Sequence, residues 1–343
     1  MNRKKIRELI INAGIFAVIM ALTFWSVFRG QDLAEILDAV RQMPGVYLAA
    51  SVFLAVFFVA GEGCMIWYLL RGIGERTTLP RCVSYSFIGF FFSGITPSAT
   101  GGQPMQLYYM KRDGNSLSAA SVVLMTVAVI YKLVLVLIGI GILLFWGAPL
   151  RQHLQAYYGL YFLGLSLNIV LVVILTMVMF SQKTIRTCFY RIEYLMVCLR
   201  LWRRSEARTE KMEQFLAGYQ QTVVFLKGHK RLIGMTVAGT FLQRFSVFVM
   251  TYVVYRGLGL SGAAMSDVVL VQAAVYIAVD MLPVPGAQGI TEAMYRSVFR
   301  DIFVGKYLVV SVCITRGVSF YLMLLVGFAV FCGVRKKFVR IGQ

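Results

Sequence analysis

Apolar runs of about 20 residues recur along the whole 343-residue chain, and that recurrence limits it to a polytopic helical membrane protein. Six segments, about 9–28, 46–70, 117–147, 157–180, 232–256 and 306–333, are each long enough to cross a hydrocarbon layer of roughly 30 Å as helix. The composition agrees: 59% of residues are hydrophobic and only 14% charged, against about half and a quarter in soluble domains. Residues 1–28 resemble a signal peptide in their basic start, but the apolar part is nearly 20 residues long and no clear cleavage site follows, so it reads as an uncleaved first span.

The net charge of +19 is read first as topology. The N-terminus, 71–81, 111–116, 181–231 and the C-terminal tail together hold 24 basic and 7 acidic residues, whereas the other loops hold 7 and 5. The positive-inside rule then places the first set, including both termini, on the cytoplasmic side. The same charge attracts anionic membrane lipid and gives no reason to invoke nucleic acid.

This assignment leaves two apolar stretches that start and finish on one side. Residues 82–110 enter and leave from the cytoplasm, and 267–303 from outside; both are broken by Pro and Gly near the middle. The tips match: Thr96-Pro97-Ser98-Ala99-Thr100-Gly101-Gly102-Gln103-Pro104 in the first, Leu282-Pro283-Val284-Pro285-Gly286-Ala287-Gln288-Gly289 in the second. The expected fold is therefore all-α and integral to the membrane, one domain over 1–343. It has six spanning helices plus two re-entrant helical hairpins in an inverted repeat, the arrangement that marks a transporter site. Gly101, Gly102 and Gly286 are expected where backbone turns sharply or approaches a ligand.

Six ionisable residues fall inside the apolar segments: Glu62, Lys132, Arg244, Asp280, Glu292 and Arg316. A lone charge at mid-membrane costs roughly 2.5–3.5 kcal/mol on translocon scales, so these groups need partners or a wet cavity. For Glu62 and Lys132 a structural ion pair and a functional role weigh equally. The substrate-binding set expected from the tips and the buried charges is Gly101, Gly102, Gln103, Arg244, Asp280, Pro285, Gly286, Gln288, Glu292 and Arg316. Arginine suits phosphate, and Arg244 and Glu292 are expected to face one cavity beside the second hairpin.

Other signals carry less. Residues 183–203 and 206–227 each place apolar side chains on one helical face and basic ones on the others, so 181–231 reads as a basic amphipathic cytoplasmic segment. Residues 31–43 form a shorter, external example. Gly257-Leu258-Gly259-Leu260-Ser261-Gly262 matches a dinucleotide-binding fingerprint but lies in a short loop after a span, without the strand–helix context. Two histidines and six cysteines without a CxxC pair offer no metal or redox site, and no cofactor is expected.

The block Pro97-Ser98-Ala99-Thr100-Gly101-Gly102-Gln103-Pro104, followed by Tyr108 and Lys111-Arg112-Asp113-Gly114, resembles the first signature of the lysylphosphatidylglycerol synthase transmembrane family. Pro283 to Ala293, ending in Glu292-Ala293, resembles the second, with Ala287 and Gln288 where a glycine and a small residue are commoner. The family includes the membrane half of the multiple peptide resistance factor, and this chain resembles that half without its synthase domain. The resemblance implies a flippase in the bacterial cytoplasmic membrane that translocates a phospholipid, lysylphosphatidylglycerol or a related anionic or aminoacyl lipid, with a link to cationic-peptide resistance. A polyprenyl-linked cargo, a phosphatidylglycerol lysyltransferase activity and a scaffold for a separate synthase stay open at this point, as does a homo-oligomer.

The charge split makes a direct prediction. Single cysteines at Asn115 and Lys227 should react with an impermeant maleimide only from the cytoplasmic side, and one at Ser261 only from outside. Labelling of position 115 from outside would remove the first hairpin.

Overall fold

The computed structural model describes residues 33–96, 99–181, 184–187, 190–191, 193–194, 206–281 and 290–341. The expected first span, 9–28, therefore lies outside the described residues, as do Pro97, Ser98 and the second tip, 282–289. Among the described residues the regular structure is helical: α1 Leu33–Gln42, α2 Gly45–Ile73, α3 Leu79–Ile95, α4 Gly102–Arg112, α5 Leu117–Leu154, α6 Tyr158–Phe180, α7 Glu206–Gly228, α8 Lys230–Gly257, α9 Met265–Val279, α10 Ile290–Val298, α11 Tyr307–Arg316 and α12 Met323–Ile341.

Among the described residues, four helical stretches are long and apolar enough to cross a membrane: Gly45–Ile73, Leu117–Phe180, Lys230–Gly257 and Tyr307–Arg335. The 29 residues of α2 rise about 44 Å, more than one bilayer core. Leu117–Phe180 is 64 residues long but folds back as two helices, α5 and α6. Trp146 leaves helical geometry, Pro149 removes a backbone donor, and Gln155 takes a φ of 42°, which reverses the chain into α6. Inside the helices Thr126, Thr236, Thr240 and Thr315 each donate to a carbonyl four residues back, which satisfies their hydroxyls without water.

Each Pro/Gly-broken stretch is a pair of short helices, α3 with α4 and α9 with α10. The packing comes in two matching sets. Helix α3 lies on α2 and α9 lies on α8, while α2 and α8 pack along each other at the centre. Then the sets exchange: α12 covers α3, and α6 covers α9. Both crossings depend on a glycine. A Cβ on Gly164 of α6 would meet the Ile277 carbonyl oxygen of α9 at 2.5 Å. A Cβ on Gly327 of α12 would meet the Phe87 carbonyl oxygen of α3 at 2.7 Å. Small residues at such crossings let helix backbones touch where lipid provides no hydrophobic drive.

Helix α7 buries Leu216, Tyr219, Val223 and Leu226, and it packs on α5, where Gly218 meets Ser118. Arg186 and Glu213 tie the preceding segment to it through an exposed ion pair at 2.5 Å. On α1, Ile36 is buried and Leu37 exposed. Asn115 is buried, its amide donating to the Met110 carbonyl at 3.0 Å. Exposed Lys111, in the last turn of α4, is thus the better labelling position for that loop.

Replacing Gly164 or Gly327 by Leu should push the crossing helices apart. Overpacking of this kind costs about 1–3 kcal/mol or more. A lowered unfolding temperature in detergent is expected for either variant, whereas Gly141→Leu, where a Cβ meets nothing within 4 Å, should leave it unchanged. Equal melting of all three variants would contradict the crossing role.

Candidate functional site

At the centre of the bundle, four of the six charges singled out in the sequence come together. Helix α2 supplies Glu62, α5 supplies Lys132, α8 supplies Arg244, and the residue after α9 is Asp280. Lys132 Nζ forms an ion pair with Asp280 Oδ2. The other carboxylate oxygen, Oδ1, accepts from the Tyr131 hydroxyl at 2.9 Å, and that hydroxyl also meets the Tyr276 hydroxyl at 2.9 Å. Lys132 Nζ reaches the Met281 sulfur at 3.3 Å as well. Asp280 is thus held from α5 by a cation and a phenol at once.

Arg244 is held differently. Its residue is only 3% exposed. The guanidinium carbon sits 3.4 Å from the Tyr131 ring centroid and 4.7 Å from that of Phe58. Its one hydrogen bond among the described residues runs from NH1 to the Tyr276 hydroxyl at 3.2 Å, and its buried Nε has no partner there. A desolvated cation over an aromatic face gains about 2 kcal/mol, yet most of the fork's donors have no partner among the described residues. Glu62 lies near enough for the two charges to attract.

Glu62 sits in a Gly61-Glu62-Gly63 sequence that lets α2 be gripped on both sides. A Cβ on Gly61 would meet Gln243 Cγ of α8 at 3.1 Å, and one on Gly63 would meet the Val83 Cα of α3 at 2.5 Å. Gln106 of α4 donates from Nε2 to Glu62 Oε1 at 2.7 Å. The polar path therefore runs from α4 through α2 and α8 to the end of α9 and on to α5. It touches both short-helix pairs. Glu62, Tyr131, Lys132, Tyr276 and Asp280 all keep some accessible surface, so the cluster borders open space.

The first tip is fixed by local bonds. Thr96 donates to the Phe92 carbonyl at 2.7 Å and accepts from the Gly101 amide at 2.9 Å. Among the described residues of the tip the left-handed one is Ala99, with φ 54°, and not a glycine. Gly101 has a right-handed helical conformation, φ −80°. The two glycines are needed for a different reason: a Cβ on Gly101 would strike Thr96 Cγ2 at 2.7 Å, and one on Gly102 the Gly89 carbonyl oxygen at 2.7 Å. They let α4 start flush against α3, so their close approach is to protein backbone and side chain. Gln103 is exposed, and the glutamine that enters the cluster is Gln106, one turn further on.

Pro285, Gly286 and Gln288 lie outside the described residues, and so does the side chain of Glu292. The expected pairing of Glu292 with Arg244 falls there too. Arg316 is partly buried and ends α11, directly before a π-helical turn, Gly317–Leu322. Sequence reading missed Gln106, Phe58, Tyr131 and Tyr276. The one signal available for Tyr131 was its place beside Lys132 in an otherwise aliphatic run.

The cluster's lone arginine, fixed ion pair and tyrosines form a polar site inside a helical membrane protein. The sequence profile described as the lysylphosphatidylglycerol synthase TM region matches residues 9–327. The chain is also 28% identical over 270 residues to the UPF0104 membrane protein PH1989 of Pyrococcus horikoshii, covering 75% of this chain and 78% of that one. The protein is an integral membrane member of the lysylphosphatidylglycerol synthase transmembrane-region family.

Proposed function

We propose that the protein is a lipid flippase in which Arg244 contacts the phosphate of a phospholipid in a chamber between two re-entrant hairpins. The observation that carries the reading is the state of Arg244: buried, stacked on Tyr131 and Phe58, and, among the described residues, with Nε unpartnered and one hydrogen bond, to Tyr276. A guanidinium presents a planar fork that matches two phosphate oxygens, and a charge-assisted pair in such a site is worth about twice a neutral hydrogen bond. Tyr131 and Tyr276 hold the fork without neutralising it. The Lys132–Asp280 pair serves as a fixed dipole that anchors the end of α9 to α5.

The architecture proposed around this site has six spans, the first at 9–28, with α3–α4 entering from the cytoplasm and α9–α10 from outside. Support comes from the charge split between loops and from the matching of the two sets, α3 packed on α2 and α4, and α9 packed on α8 and α10, with α2 and α8 joining them. Discontinuous helices meeting near the membrane midplane are the usual frame of an alternating-access site. Both termini and the basic segment 181–231 face the cytoplasm in this arrangement. The lipid proposed is an anionic or aminoacylated phosphatidylglycerol, in keeping with a family described by its lysylphosphatidylglycerol synthase region.

The test is transport in vesicles containing a fluorescent phosphatidylglycerol. Arg244→Ala should lower the flipping rate about tenfold or more, with protein yield little changed, and Arg244→Lys should restore part of it, since a point charge lacks the fork. Wild-type flipping by Arg244→Ala would contradict the proposal. So would an Arg244→Ala defect that appears only as lost protein.

A further inference from the structure

We infer that loading an anionic phospholipid onto Arg244 is coupled to the uptake of one proton by Glu62, an inference that rests on the reading of Arg244 as the phosphate contact. The argument starts from the charges in the cluster. Glu62, Arg244, Asp280 and Lys132 sum to zero. The two carboxylates are not equivalent. Asp280 has its own cation in Lys132 and its own phenol in Tyr131, and both stay in place whatever Arg244 binds. Glu62 has no such partner. The one hydrogen bond it receives among the described residues comes from the neutral amide of Gln106 at 2.7 Å, on Oε1. Arg244 is the cation whose charge reaches it.

Among the described residues, Arg244 is the cation found to act on Glu62. Against α2, helix α5 presents Tyr131 and Lys132, the latter committed to Asp280. Helix α3 presents Cys82 and Tyr85, and Tyr85 donates to Asp113 at 2.5 Å. Helices α7 and α12, which also touch α2, carry Lys227 and Arg335 in their C-terminal parts. Tyr321 of the π-turn is neutral at ordinary pH. Gly61 and Gly63 seat α2 closely between α8 and α3, which fixes the backbone that carries Glu62.

A lipid phosphate on Arg244 therefore leaves a surplus negative charge next to Glu62. Two anions sharing one cation in a poorly solvated site raise the proton affinity of the weaker acid. The phosphodiester is the stronger acid, so the carboxylate takes the proton. One O–H bond forms at Glu62 Oε2, which has no hydrogen-bond partner among the described residues, and the proton comes from water. Release of the lipid returns Arg244 to Glu62 and the proton to water. A headgroup that carries its own ammonium brings the balancing charge with it and needs no proton.

The experiment measures binding of fluorescent phosphatidylglycerol to the purified full chain in detergent, from about pH 5 to about pH 8, by anisotropy. The sign follows from linkage. The loaded state binds one proton more than the empty one, so affinity falls as pH rises, by up to about tenfold per pH unit. Glu62→Gln should bind about as tightly as the wild type does at the acid end and show no pH dependence; Glu62→Asp should restore the slope. Fluorescent phosphatidylethanolamine should show a shallower slope than phosphatidylglycerol. A flat wild-type profile, with binding still lost in Arg244→Gln, would overturn the proton coupling and leave the phosphate contact standing. An equal slope for both lipids would overturn it too. Unchanged binding by Arg244→Gln would remove the phosphate contact, and the coupling with it.

Discussion

The Lys132–Asp280 ion pair sets the geometry from which the rest of the centre follows. It joins α5 to the end of α9 across 148 residues of sequence, inside a bundle where each charge alone would be costly. With Asp280 neutralised, Tyr131 and Tyr276 are locked into a shared hydroxyl contact. Those rings then form the surface on which the Arg244 guanidinium rests. Among the described residues Arg244 is left buried with one hydrogen bond, because Asp280 is already held by Lys132 and Tyr131. In the proposed reading this arrangement leaves the Arg244 fork open to an anion, with Glu62 the nearby carboxylate whose only described hydrogen bond is to Gln106.

The frame around the cluster explains how such polar groups reach the interior. Breaking an apolar stretch into two short helices brings helix ends and irregular backbone inward, which is tolerated only where protein covers them. Here α12 covers α3 and α6 covers α9, each through a glycine that admits backbone contact. The central α2–α8 pair carries Glu62 and Arg244 on facing helices. If the protein works as the proposed flippase, movement of one set of helices against the other would change the Glu62–Arg244 separation directly.

Much of this was legible in the sequence, for definite reasons. Apolar length located α2, α5, α6, α8 and the α11–α12 stretch, because a membrane helix needs about 20 apolar residues whatever its neighbours are. The split of 82–110 was legible because Pro and Gly interrupt it; the structure breaks it at Thr96 to Gly101. Glu62, Lys132, Arg244 and Asp280 stood out because charge is rare in such segments. Their pairing was not legible: which cation meets which carboxylate depends on helix rotation and on contacts more than 100 residues apart. Gln106, Tyr131 and Tyr276 were passed over because glutamine and tyrosine are ordinary in membrane helices. Gly101 and Gly102 are expected where the backbone turns sharply or approaches a ligand; among the described residues of the tip the left-handed φ belongs to Ala99, and a Cβ on either glycine would meet α3 or Thr96 closely.

The most direct measurement is an experimental density map of the full chain in lipid nanodiscs containing phosphatidylglycerol. The account predicts headgroup density between α3–α4 and α9–α10, with a phosphate oxygen within about 2.7–3.2 Å of an Arg244 nitrogen. It also predicts that Asp280 remains on Lys132. A map in which Arg244 forms a bidentate pair with a protein carboxylate, Glu292 included, and the headgroup density lies elsewhere would contradict it.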